Sequence, residues 1–199
     1  QRKKTSSNFI AGLSDGDLFN SVSSEIYGHT VLVIPLIFTK SRIYFRGLSE
    51  GGGILCQSFN GVDGGVISPT CDVCPNSKFS GDGKAPACNL FYNYPAILLP
   101  SRELFVVSLK STGLKVAKQW NSRMRMFGDK PMFSGVYELR IVEQSNAKGT
   151  YFSPVISFKR FVDADEFKFA GDIYNGLKGK AVRVDEAGLD ETDEEAIPF

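Results

Sequence analysis

Cys56, Cys71, Cys74 and Cys88 are the only cysteines of the chain, spaced C-x14-C-x2-C-x13-C. The central CDVC knuckle lets two thiolates grip one ion, and the two distant thiolates then pin the flanking loops to it. This pattern predicts one structural zinc, because four thiolates satisfy a filled-shell ion that asks only for a tetrahedron. Such a site has no open coordination position, so the ion would be a staple rather than a catalyst. Two disulfides or free thiols are the other readings of the same residues. The basic opening segment lacks a signal-peptide apolar core, which speaks against disulfides. The stretch CDVCPNSKFSGDG does not look like the helix that a redox CxxC usually opens.

Little else points to catalysis. His29 is the only histidine, and neither a nucleophile nor an orienting acid stands near it in sequence, so it reads as a strand-end residue. SEGGGIL lacks the Lys-Ser/Thr that a phosphate-cradling loop requires. No carboxylate pair has the strand-end context of a nuclease. The chain is expected not to be an enzyme.

Binding is better served. In SRIYFRG, strand alternation puts Ile43 and Phe45 on one face and Arg42, Tyr44 and Arg46 on the other. Two guanidinium groups flanking an aromatic ring suit single-stranded nucleic acid, with cations on phosphates and the ring on a base. The same theme recurs in Arg123, Arg125 and Lys130, and in Tyr137, Arg140, Tyr151, Lys159 and Arg160. Trp120, Phe152 and Phe158 read as core, and Tyr92 and Tyr94 in YNYP read either way.

The elements that must carry these residues are mostly strands. TVLVIPLIF (30–38) and SRIYFR (41–46) are β-rich runs whose separation by Thr39-Lys40 suits a hairpin, with Pro35 marking an edge or a bulge. Residues 47–93 read as a glycine-dense, cysteine-rich insertion with no hydrophobic core of its own, so metal would supply its folding energy. AILLP and ELFVVSLK are further strands, and 112–127 a helix. Two more strands follow across the turn SNAKG, then a second helix with Asp163 or Asp165 as N-cap. The expected fold is mainly β: an OB-fold-like Greek-key barrel with one or two helices and a zinc-ribbon-like insertion. A mixed α+β sandwich fits the same pattern.

Charge is divided along the chain. Seven acids and no cation follow Val184. With 23 Lys and Arg against 22 Asp and Glu overall, setting those seven aside leaves residues 1–184 eight charges positive. A basic body with an acidic, disordered tail points to a polyanionic partner for the body. No apolar run approaches the roughly 20 residues needed to span a bilayer. Residues 1–180 are thus expected to form one nucleic-acid-binding domain, followed by the tail, 181–199.

The closing DEEAIPF resembles the acidic tip, ending in Ile-Pro-Phe, of bacterial single-stranded DNA-binding proteins, although Ala196 stands where those usually carry an acid. CDVCPNSKFSGDGKAPACN, AILLP and SLKSTGLKVAKQW resemble a group of phage-encoded single-stranded DNA-binding proteins that carry an OB-fold with a cysteine-rich insertion. The similarity loosely covers residues 47–162 and leaves the first 25 unmatched. It implies a non-catalytic protein that coats single-stranded DNA in phage replication or recombination, in the cytoplasm of an infected bacterium. It further implies that Phe199 enters an apolar pocket on replication and repair proteins. Ile197 and Pro198 would fill the pocket lip, and Asp193, Glu194 and Glu195 would lie on the acidic leash. A zinc-ribbon protein–protein adaptor or transcription regulator is the alternative.

Overall fold

The structure is a computed structural model that describes residues 10–20, 23–47, 51–147 and 149–179. The β-branched run TVLVIP and the alternating TKSRIYF form β3 (Thr30–Pro35) and β4 (Thr39–Phe45). They do not fold back on each other. Both pair antiparallel with one neighbour, β6 (Cys88–Leu99): Leu32 to Pro35 face Leu99 to Ala96, and Thr39 to Tyr44 face Asn93 to Cys88. The expected hairpin at Thr39-Lys40 is therefore a bend within one long strand. Four steps from Pro35 to Thr39 match three from Ala96 to Asn93, and the extra residue bends the strand as a bulge does. The Leu36 N–H donates to the Pro95 carbonyl at 2.8 Å, carrying the pairing into the bend. Pro35, which has no N–H to donate, sits at this bulge, one of the places a sheet tolerates it.

The fold is mainly β, antiparallel, with two helices. β7 (Leu104–Lys110) lies on the other side of β6. β8 (Gly135–Asn146) pairs with β3, and β9 (Gly149–Phe161) pairs with β8 across the expected SNAKG turn. Count β3 and β4 as the first strand. The five long strands then lie in the spatial order third, second, first, fourth, fifth, and α1 (Gly113–Arg125) joins third to fourth. This is a Greek key with OB-fold connectivity. Among the described residues it is not a closed barrel: no ladder joins β7 to β9, and α1 packs against β6, β7 and β9 at the opening. The insertion returns one strand, β5 (Ile54–Ser58), to the edge of β4. A separate ribbon of β1 (Leu18–Phe19) and β2 (Ile26–Gly28) precedes the sheet.

Burial on both faces holds the sheet in place. On one face Val33, Tyr94, Leu98, Tyr137 and Leu139 meet Ala117, Trp120 and Met124 of α1, which recur at helical spacing. The Trp120 ring lies 4.4 Å from that of Tyr94 and 5.5 Å from that of Tyr137, centroid to centroid. Truncating so well buried a ring to alanine would cost about 3–5 kcal/mol. On the other face Ile34, Leu36, Ile97 and Val136 pack with Phe133 and with Ala170 of α2 (Ala164–Leu177). Asp163 is the N-cap: its side chain accepts the Glu166 N–H at 2.8 Å, and Glu166 Oε2 accepts the Asp163 N–H at 3.0 Å.

Candidate functional site

The four cysteines converge. Cys56 lies in β5 and Cys88 opens β6, and both are direct cross-strand partners of Tyr44 in the intervening β4. Cys71 and Cys74 come from the knuckle above them. That knuckle is built from backbone: Cys71 N–H donates to Val62 O at 2.9 Å and Cys74 N–H to Cys71 O at 3.3 Å. Ser77 Oγ lies 2.6 Å from Cys71 O and 2.9 Å from Cys74 O, closing the turn that Pro75 begins. All four are free thiols, and all four line one cavity of about 20 Å³, room for a single water-sized body. The thiols do not stand at ligating spacing: among the described residues no three His, Cys, Asp or Glu side chains form a ready metal cluster.

The residues fit a four-thiolate ion. No described acid lines the cavity. A Cβ on Gly65 would lie 2.7 Å from Cys56 Sγ, and one on Gly64 would lie 1.7 Å from Ser68 O, so the loop can wrap this closely only with glycine there. Phe59, Val62, Val66, Ile67, Val73 and Phe79 are all exposed, so apolar burial does not hold the insertion. Burial pushes the Cys88 thiol up to about 11, Arg42 pulls it back, and the other three cysteines add to the rise.

Arg42 belongs to this centre. It lines the thiol cavity and is half-buried, with Ser58 and Leu90 as cross-strand partners. The alternation expected in SRIYFRG holds from Arg42 to Tyr44, with Ile43 fully buried, and the pairing with β5 shifts register between Tyr44 and Phe45. The face bearing Arg42 and Tyr44, however, lies against the cysteine-rich insertion. Arg46 alone of the three is exposed, and it makes no ion pair with a described acid.

The other expected binding residues scatter. Tyr137 is 1% exposed and belongs to the core, with burial pushing its hydroxyl up to about 12; it cannot stack on a base, which corrects that assignment. Arg160 donates from Nη1 and Nη2 to the Glu166 carboxylate, and Lys159 Nζ lies 3.1 Å from Glu138 Oε2, so both cations are paired within the fold. Lys130 sits 5.6 Å from the Phe161 ring centroid. Arg125 and Arg140 are exposed. Tyr92 and Tyr94 are core, as is Trp120, but Phe152 is exposed. His29 occupies the turn between β2 and β3, with Nε2 3.4 Å from Asp17 Oδ1. Asp193, Glu194, Glu195, Ile197, Pro198 and Phe199 lie outside the described residues.

Arg123 and Tyr151 do come together, across a groove of about 570 Å³ between α1 and the outer half of the β8–β9 hairpin. Arg123 Nη1 donates to Ile156 O of β9 at 2.7 Å, and the Tyr151 hydroxyl donates to Gln144 Oε1 at 2.9 Å. Lys115 and Gln119 share the helix wall with Arg123. Sequence reading missed these two. Their signal was the four-residue step from 115 to 119 to 123, which aligns three polar side chains along one helix face.

No helix among the described residues is long and apolar enough to cross a membrane. A family model described as Pam3 phage gp34-like protein matches residues 1–183, and the chain belongs to that phage family. No curated protein matches the chain, and no solved structure does.

Proposed function

We propose that this phage-family protein is a non-catalytic single-stranded DNA-binding protein, acting in replication or recombination, whose cysteine-rich insertion is stapled by one zinc on Cys56, Cys71, Cys74 and Cys88. The observation that carries the reading is the open Greek key itself. Its connectivity is that of folds that take up single strands on their sheet and long loops. Here that scaffold displays Arg46, Lys110, Lys115, Lys118 and Arg125, none paired with a described acid. Zinc would supply no chemistry beyond cross-linking. The acidic residues 185–199 would recruit partner proteins.

The test is a titration of labelled oligo-dT, and of duplex of equal length, at two salt concentrations. Tighter binding to the single strand, falling steeply with salt, is expected. Equal or absent binding would sink the reading. A zinc-ribbon protein adaptor is the second reading, favoured by the seven exposed apolar side chains of the insertion, Ile54 included. It predicts no dependence on oligonucleotide length.

A further inference from the structure

Among the described residues, two of the large cavities outside the thiol centre differ in charge. One, of about 530 Å³, opens beside β3 and the β6–β7 turn; Glu25 and Glu138 line it against Lys159. Its single cation is already tied to Glu138. The other is the α1–β9 groove, where Lys115 and Arg123 share the lining with no described acid. An anion is repelled by the first and attracted by the second.

The groove offers more than charge. Arg123 uses Nη1 on the Ile156 carbonyl, which fixes the guanidinium at the rim, and its other nitrogens make no hydrogen bond with a described residue. The Tyr151 ring is held at the opposite wall by its hydroxyl bond to Gln144, and the Gln119 amide lies on the helix side. Trp120 forms part of the lining, and its buried indole N–H has no partner among the described residues. The strand wall, residues 151–157, runs roughly 20 Å at the usual strand rise, long enough for a few nucleotides.

We propose that this groove seats a short run of single-stranded nucleic acid. Lys115 and Arg123 take phosphates, Tyr151 stacks on a base, and Gln119 meets a base edge. The inference rests on the single-strand reading above and gives it a location, away from the β4 face that the insertion covers. The free edge of β9 would also accept an extended peptide as an added strand. Cations without acids, an anchored ring and side-chain amides favour the nucleic acid.

The experiment uses the full chain and short oligo-dT carrying 5-iodouracil, with photo-cross-linked residues identified by mass spectrometry and affinity read by anisotropy. Cross-links at Tyr151 are expected. Tyr151→Ala should weaken binding about tenfold, in the range for one stacked base. Lys115→Gln should lower the salt slope by about 0.7, the value for one phosphate contact on a single strand. Cross-linking on the parent chain does not depend on how the variants fold. Parent-like affinity in both variants with cross-links elsewhere overturns the groove assignment and leaves the DNA-binding reading standing. No binding of oligo-dT by the parent overturns both. A glutamate-rich peptide that cross-links in the groove where oligo-dT does not would make it a peptide site and overturn the proposal.

Discussion

Arg160 and Glu166 meet through two parallel hydrogen bonds, Nη1 to Oε2 at 2.7 Å and Nη2 to Oε1 at 2.8 Å, which tie the end of β9 to the first turn of α2. The bond from Arg160 holds the Glu166 carboxyl below its ordinary value of 4.5. As pH falls, the unfolded chain therefore takes up a proton at Glu166 before the folded chain does. The stabilisation is complete above the ordinary value and is lost as pH drops through the lower folded one. Arg160→Ala should cost about 1 kcal/mol at neutral pH, a figure kept small because the arginine is half exposed. Melting curves should show that cost vanish at acid pH; a pH-independent difference would mean the pair acts only by packing.

The proposed zinc is testable by composition and by chelation. Purified protein should carry about one zinc per chain, the stoichiometry of a single four-thiolate site. Chelation should raise protease sensitivity within residues 51–87. Near-ultraviolet signals of the Tyr94–Trp120–Tyr137 cluster should persist, because that core is held by its own burial against α1. Loss of both together would show that the whole sheet depends on the ion.

Arg42 and Arg46 should separate in their effects. Arg42→Ala removes the cation that lines the thiol cavity, and should speed zinc loss to a chromogenic chelator severalfold with little change in the salt dependence of DNA binding. Arg46→Ala should do the reverse, lowering the salt slope by about 0.7 for one lost phosphate contact. Identical behaviour of the two would refute the division.

Removing residues 185–199 deletes seven acids and leaves a body of eight positive charges. Single-strand affinity should rise, most at low salt where screening is weak. An unchanged affinity at every salt concentration would show that the acids do not compete with phosphate.

Some of this was legible in the residues and some was not, for physical reasons. The alternation of Ile43 with Arg42 and Tyr44 was readable, because side chains in a strand must alternate whatever packs on them. What covers the Arg42 face was not: Cys56 and Cys88 reach Tyr44 only through long-range register. Tyr137 was misplaced although it alternates in phase with buried Leu139 against Glu138 and Arg140, because a phenol suits a core or a surface equally and only the packing of α1 decides between them. The bend after Pro35 looked like a chain reversal because a bulge and a turn share the same local vocabulary of breaks in an apolar run.

Two of the four thiols sit on the sheet itself, Cys56 and Cys88 flanking Tyr44, and this gives the centre a bearing on how the chain finds its fold. Side chains in a strand repeat every two residues, so sliding β4 by one position against β6 would turn Tyr44 away from Cys88 and leave the thiols on opposite faces. The cysteine quartet can assemble only after the correct pairing has formed. An ion captured there would lock in the right alignment and discriminate against its neighbours, a proofreader of strand register as much as a clamp.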